Sequence, residues 1–363
     1  MVIRELEKAI LAGAKITPAD VLSVWRSSSH EDLWEAAHRV TEHFKADHFD
    51  FCAIINARSG KCSENCKWCA QSAHWKTGCE TYGFVGAAKC VAEAKKAEAN
   101  GVGRIAIVTS GRGQTPQQVD EICATLEEMR KNCKLSLCAS LGLVSRDDLA
   151  KLKAAGLQRI HCNLETAPTR FKTLCTTHTT EEKLATIRAA RELGYEVCSG
   201  GIIGMGETDE ELVEFGFVLK SISPDSIPVN ILHAIPGTPL GDTPRLSIER
   251  ILDSIAILRL INPKTPLRFA GGRRDLTDKE AAKCVYVGIN AGIQGPLLTT
   301  PGSDYADDRQ LANVMTGGGW ETGIGWTKAG IRRILRDKSG LAEREAGSER
   351  FGNSETETRL IQV

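Results

Sequence analysis

The chain has 363 residues, 42% of them hydrophobic, and 46 Lys plus Arg balance 46 Asp plus Glu to a net charge of zero. That length buries one large core or two ordinary ones, and the neutral balance gives no electrostatic footprint for nucleic acid or an acidic membrane surface. No apolar run reaches bilayer-spanning length. The opening MVIRELEKAILAGAK lacks an uncharged h-region and a small-residue cleavage site, so a cytoplasmic address is expected. The 13 cysteines then point to metal or redox chemistry, and their odd number excludes complete disulfide pairing.

In chain order, residues 1–50 read as helices placed before the first strand, where they can cover the lower end of the fold. Short β-rich runs then alternate with amphipathic helical stretches. Strands are expected at 51–57, 104–109, 135–141, 159–164, 196–203, 227–234, 266–270 and 293–298. Helices are expected at 87–100, 116–131, 146–155, 181–193, 209–221 and 248–260. Ser145, Thr180 and Thr208 stand where N-caps belong, and Gly101, Gly156 and Gly194 where C′ residues belong. Repeated βα units allow a doubly wound sheet or a closed barrel, and eight of them favour an α/β fold of the (β/α)8 TIM-barrel type. The expected division is an N-terminal helical segment over 1–50, the barrel over 51–339, and a polar, disordered tail over 340–363.

Directly after the first strand, GKCSENCKWC places Cys62, Cys66 and Cys69 on one loop at C-x3-C-x2-C spacing. Structural zinc sites usually take two ligand pairs from separate knuckles, whereas three close thiolates without a partner pair suit a 4Fe-4S cluster with one open iron. A zinc knuckle completed by His74 or a distant cysteine is the competing reading. The loop follows the C-terminal end of a strand, where barrel enzymes keep their chemistry.

With Trp68 as the aromatic before the last cysteine, this loop resembles the signature of the radical S-adenosylmethionine (SAM) superfamily. The resemblance implies that the open iron chelates the methionine moiety of S-adenosyl-L-methionine and that one electron cleaves it to a 5′-deoxyadenosyl radical. Further segments occur in order: 62–72 (CSENCKWCAQS), 109–113 (TSGRG), 137–142 (LCASLG), 163–166 (NLET), 197–208 (VCSGGIIGMGET), 227–240 (IPVNILHAIPGTPL), 268–273 (RFAGGR) and 297–301 (LLTTP). The ordered set resembles the biotin synthase family. That resemblance implies radical insertion of sulfur into dethiobiotin, with the sulfur taken from an auxiliary iron-sulfur cluster inside the barrel. It also implies a flavodoxin- or ferredoxin-type electron donor and a homodimer. By position, Trp68, Asn163, Glu165 and the backbone of Gly200, Gly201 and Ile203 would face SAM, and His161, Asn230, Thr299 and Thr300 the substrate.

In that family the auxiliary cluster is 2Fe-2S, held by three cysteines and an arginine. Cys138, Cys198 and Arg268 match, but the third cysteine position is Ala106. Inner side chains of such a barrel form layers taken from alternate strands. Cys138, Cys198 and Arg268 fall on the third, fifth and seventh strands, and Cys52 on the first would complete the layer. Cys52, Cys138 and Cys198 are therefore expected to bind the auxiliary cluster with Arg268 on or beside it. With this altered set the cluster is 2Fe-2S or a four-iron form. Cys79 and Cys175 are further candidate ligands, Cys162 points away from the pocket by period two, and His74 and His178 read as surface or loop polar groups. Two alternatives stand beside this reading. One is a hydrogenase-maturation or methylornithine-forming relative. The other is a non-catalytic iron-sulfur or zinc protein.

Overall fold

Three helices, α1 (Ile3–Leu11), α2 (Pro18–Ser27) and α3 (His30–Lys45), precede the first strand in the computed structural model, which describes residues 1–45, 49–300, 302 and 305. Then follow β1 (Asp50–Arg58), α4 (Gly86–Ala99), β2 (Arg104–Thr109), α5 (Pro116–Asn132), β3 (Ser136–Ser140), α6 (Arg146–Ala154) and β4 (Arg159–His161). Next come α7 (Pro168–Leu174), α8 (Thr180–Glu192), β5 (Glu196–Cys198), β6 (Gly201–Ile203), α9 (Asp209–Ile222) and β7 (Ile227–Ile231). The last elements are α10 (Ile248–Ile261), β8 (Leu267–Phe269), α11 (Asp278–Val287) and β9 (Ala291–Gln294). The expected tail at 340–363, the barrel stretch from 306 to 339 and Pro301 lie outside the described residues.

Every strand pair is parallel, in the order β5-β4-β3-β2-β1-β9-β8-β7-β6. The two ends of this order, β5 and β6, are consecutive pieces of the one expected fifth strand. Between them the Ser199 hydroxyl donates to Cys162 O (2.8 Å) and Gly200 N donates to the Asn163 side chain (3.1 Å). These side-chain bonds interrupt the regular ladder. Bridges Glu165–Gly201 and Cys198–Ser226 carry the pairing across the break, so the wall closes as an eight-stranded α/β barrel of the TIM type.

Three local expectations are corrected. The helix expected after Thr180 is capped by Thr179, whose side chain accepts from Glu182 N; Thr180 is its first residue. The eighth strand lies at Ala291–Gln294 instead of 293–298, because Gly295 turns the chain at φ 79° and Pro296 has no N–H for a ladder. Helices α7 and α11 were not foreseen, although Thr277 and Glu280 form a capping box for the second.

Period-two alternation sorts the wall. Ala53, Ile55 and Ala57 of β1 join the core between barrel and helices, whereas Ile54 turns inward against Ala106, Val108 and Cys138. The N-terminal helices pack on the outer layer, α2 against α9 and α10, and α3 against α10 and α11. Their anchor is Asp253 of α10, 4% exposed, which accepts from the indole N–H of Trp34 (2.8 Å) and Trp25 (3.3 Å) and meets His30 Nδ1 at 2.9 Å. The hydrogen bond to Asp253 raises the His30 pKa above its ordinary 6.5, against the opposing pull of partial burial. A raised folded-state pKa gives stability that is full below 6.5 and is lost as pH rises through the shifted value. We therefore expect the urea midpoint of the parent chain to fall between about pH 6 and about pH 9 relative to His30→Asn. Parallel pH profiles of the two proteins would contradict this.

Candidate active site

The cysteine loop is held by hydrogen bonds to its backbone. Cys62 N donates to Gln71 O (2.9 Å), Ala73 N to Cys62 O (2.8 Å), Ser72 Oγ to Glu64 O (2.6 Å) and Trp75 Nε1 to Cys66 O (2.9 Å). The segment after α7 lies over it: Lys67 N donates to Leu174 O (3.0 Å), Thr176 N to Asn65 Oδ1 (2.9 Å) and Asn65 N to Thr177 Oγ1 (3.2 Å). Cys62, Cys66 and Cys69 are half-buried free thiols. Burial pushes Cys69 up to about 11, and Cys66 is raised first by its hydrogen bond with Cys175 and then by burial. An all-sulfur donor set suits a thiophilic metal, and three thiolates without a fourth suit a cluster that keeps one iron open. His74, the proposed fourth zinc ligand, has its Nε2 on Ser63 O at 3.0 Å.

The residues expected to face SAM gather beside this loop. Trp68 stands edge-on to Phe171, with ring centroids 6.1 Å apart. Asn163 accepts from Gly200 N, and Lys183 Nζ donates to Asn163 O at 2.9 Å. Glu165 adopts φ 71°, a left-handed conformation that is uncommon for a non-glycine residue. Burial raises its pKa, while Lys183 and His178 pull the other way. A Cβ on Gly200 would lie 2.0 Å from Pro228 O, and one on Gly201 would lie 2.2 Å from Glu165 O. The space left by these missing side chains is filled by the barrel wall itself, so only backbone there is left to face a ligand. The Ile203 side chain lies in the main core.

Deeper in the barrel, Cys52, Cys138 and Cys198 are 2%, 1% and 0% exposed, and Arg268 is 1% exposed. Burial raises all three thiols, Cys138 to about 12 and Cys198 to about 11. Each of the three is within electrostatic range of at least one of the others, and Arg268 lowers both Cys52 and Cys198. Burial disfavours the Arg268 charge, but Cys52, Asp50 and Cys198 outweigh it and its pKa is raised. Its guanidinium donates to Ser226 Oγ (3.1 Å), Gly292 O (2.9 Å), Asp50 O (3.0 Å) and the Asp50 carboxylate. Ala106 is paired in register with Cys138, where its methyl offers no donor.

His161 is paired in register with Cys198, and its Nε2 is buried without a protein partner. Burial, reinforced by Arg159, Arg268 and Arg104, lowers its pKa to about 3, so the imidazole is neutral. Asn230 donates to Gly201 O (2.9 Å) and accepts from Gly271 N (2.8 Å). A Cβ on Gly271 would touch both Asn230 Oδ1 and Thr300 Oγ1, at 3.1 and 3.5 Å. Thr299 lines a cavity of about 440 Å³ with Asn56, Ala70, Cys79, Leu297 and Leu298. Asn56 Oδ1 is buried and unpaired. Asn56 escaped the sequence reading, although period two from Cys52 places it on the inner face. His178 is corrected from a surface or loop group to a buried one, with its Nδ1 2.6 Å from Glu64 Oε2. Cys162 packs in the outer core, as expected.

Two family models match, the radical SAM superfamily over residues 57–217 and the biotin and thiamin synthesis associated domain over residues 228–315. A biotin synthase of Porphyromonas gingivalis is 49% identical over 85% of this chain and 94% of its own length. One from Parabacteroides distasonis is 45% identical over 86% of this chain and 95% of its own. The chain belongs to the biotin synthase family. Membership brings a SAM-cleaving 4Fe-4S cluster and a dethiobiotin substrate, and it decides against the non-catalytic alternative. An FeFe-hydrogenase maturase shares the fold at a TM-score of 0.72 and 15% identity, covering 94% of this chain and 79% of that one. Methylornithine synthase does so at 0.67 and 20%, covering 79% and 85%. At that identity the likeness speaks for the fold alone. No helix among the described residues is long and apolar enough to cross a membrane.

The wall at the split strand gives a direct prediction. Gly201→Ala must separate Gly201 from Glu165 and should lower stability by about 1–3 kcal/mol, read by chemical denaturation. Ile202→Ala, a few ångströms away, serves as the control for simple packing loss. Unchanged stability in Gly201→Ala would contradict the close approach.

Proposed function

We propose that the chain converts dethiobiotin to biotin, with the SAM-binding 4Fe-4S cluster on Cys62, Cys66 and Cys69 and the sulfur-donating cluster on Cys52, Cys138 and Cys198. The observation that carries this reading is three buried thiols within electrostatic range of one another inside the barrel, two of them, Cys52 and Cys198, beside the buried guanidinium of Arg268. When bound, the first cluster with SAM supplies the 5′-deoxyadenosyl radical, and the auxiliary cluster supplies sulfur.

The protein's part is to bind, orient and exclude water. Asn163 and Glu165 hold the ribose of SAM, Trp68 packs beside the cluster loop, and the backbone of Gly200, Gly201 and Ile203 lines the adenine side. Neutral His161 offers its unpartnered Nε2 to the ureido ring, Asn230 uses its remaining amide valences there, and Thr299 and Thr300 receive the carboxylate end. Arg268 stands on or beside the auxiliary cluster, held in place by Ser226 Oγ, Gly292 O and Asp50. Beside the thiols, Arg104 in register with Cys52 and Arg159 in register with Cys138 join Arg268 in facing Asp50 and Glu196, so three cations meet two carboxylates. The excess positive charge favours a thiolate-bound, anionic sulfide cluster at that depth. With Cys52 in place of the usual ligand at position 106, the cluster is 2Fe-2S or a four-iron form. A flavodoxin- or ferredoxin-type donor supplies the electron, and the enzyme acts in the cytoplasm as a homodimer.

The test is anaerobic reconstitution of the parent and Cys52→Ala. The parent should form biotin from dethiobiotin. The variant should lose the iron and sulfide of the auxiliary cluster and at least about tenfold in biotin formation, an effect of about 1.4 kcal/mol or more, while still releasing 5′-deoxyadenosine. Full retention of iron and sulfide in Cys52→Ala would refute the ligand assignment.

A further inference from the structure

The loop after α7 brings a fourth sulfur to the first cluster site. Cys175 Sγ lies 3.7 Å from Cys66 Sγ and 3.3 Å from His178 Nδ1, and Thr177 Oγ1 lies 3.5 Å away. His178 Nδ1 is in turn 2.6 Å from Glu64 Oε2, a carboxylate inside the cysteine loop itself. Arg112 Nη1 at 3.3 Å and Ser63 Oγ at 3.1 Å fix the same carboxylate. Cys175 is 3% exposed, His178 8% and Glu64 6%. Phe171 packs in a T-shaped contact with the imidazole, with ring centroids 5.3 Å apart.

The donor atoms of Cys66, Cys175 and His178 all lie within 4.8 Å of one another, close enough for a mononuclear cation. In the loaded enzyme, however, Cys66 belongs to the first cluster. In the contact as it stands Cys66 donates to Cys175; ligation of iron by Cys66 removes that proton, and the Cys175 thiol then becomes the donor of the pair. The remaining contact is then a thiol donor aimed at a cluster-ligating thiolate.

We propose that Glu64, His178 and Cys175 form a hydrogen-bond relay that ends on the Cys66 thiolate and raises the reduction potential of the first cluster. The single Nδ1–H of His178 is shared between the Glu64 carboxylate at 2.6 Å and Cys175 Sγ at 3.3 Å, and the Cys175 S–H donates to Cys66. A donor on a ligating sulfur stabilises the extra negative charge of the reduced cluster, so the potential rises. The outcome is an easier one-electron reduction before SAM is cleaved. Cys175 is thus a positioning residue that acts through Cys66, in keeping with its location outside the C-x3-C-x2-C signature.

The inference rests on Cys66 being a ligand of the first cluster, and the experiment separates the two claims. Reconstituted parent, Cys175→Ala, Cys175→Ser and His178→Asn are titrated electrochemically, with the EPR signal of the reduced cluster that responds to SAM as the readout. That signal in the parent establishes the cluster reading; its absence there would sink that reading and this inference with it. Given the signal, Cys175→Ala should keep the cluster iron and shift the midpoint to a more negative value. Cys175→Ser, which keeps a donor, should recover most of the shift, and His178→Asn should move it the same way by less. Parent-like potentials in Cys175→Ala with full iron content would overturn the relay. Loss of cluster iron in Cys175→Ala with the fold intact by circular dichroism would overturn it too, because a hydrogen-bond donor is not required to hold iron.

Discussion

A closed parallel barrel divides its side chains by period two, and the rest of this molecule depends on that division. Along β1, Ala53, Ile55 and Ala57 seal the outer core, while Cys52, Ile54 and Asn56 share the opposite parity. The same alternation turns Ala106 and Cys138 inward on β2 and β3. Thiols far apart in sequence converge without any loop to carry them. A one-residue slip in a strand would move its thiol into the hydrophobic layer between barrel and helices. The apolar outer face therefore fixes the inner chemistry.

The wall is not uniform. At Ser199 and Gly200 the regular ladder is broken by two side-chain bonds, from the Ser199 hydroxyl to Cys162 O and from Gly200 N to the Asn163 side chain, and two glycines allow neighbouring backbone to close the gap. The left-handed Glu165 lies on the same break and bridges to Gly201. Strain and interrupted pairing thus gather next to the cysteine loop, where polar side chains must be presented to a ligand. The floor of the barrel does different work. Arginines held by Asp50 and Glu196 place fixed positive charge beside buried thiols, which otherwise resist deprotonation.

Much of this was legible in the sequence because it rests on local periodicity. Eight β-rich runs, their caps and the spacing of Cys62, Cys66 and Cys69 all reflect constraints that act within a few residues. Cys138, Cys198 and Arg268 were named by the family resemblance, and strand parity added Cys52 to them. What escaped was tertiary. Nothing near TLCTTHTT indicates that Cys175 and His178 fold over the cysteine loop, since Asn65, its partner there, lies over a hundred residues away. Gly200 and Gly201 could be seen as sites of close approach, but the carbonyls of Pro228 and Glu165 that crowd their missing side chains could not. The end of the last strand was missed because its apolar run continues past the point where Gly295 and Pro296 stop pairing.

The central claim is that two iron-sulfur clusters share one barrel, the upper one open to SAM and the lower one enclosed by buried thiols. The most direct measurement is a Mössbauer spectrum of the iron-57-reconstituted protein, taken with an iron and sulfide count, before and after adding SAM. The account predicts two components: a 4Fe-4S signal with one iron site that changes when SAM binds, and a second cluster signal that does not. A single four-iron component that responds to SAM, with no further iron or sulfide, would contradict it.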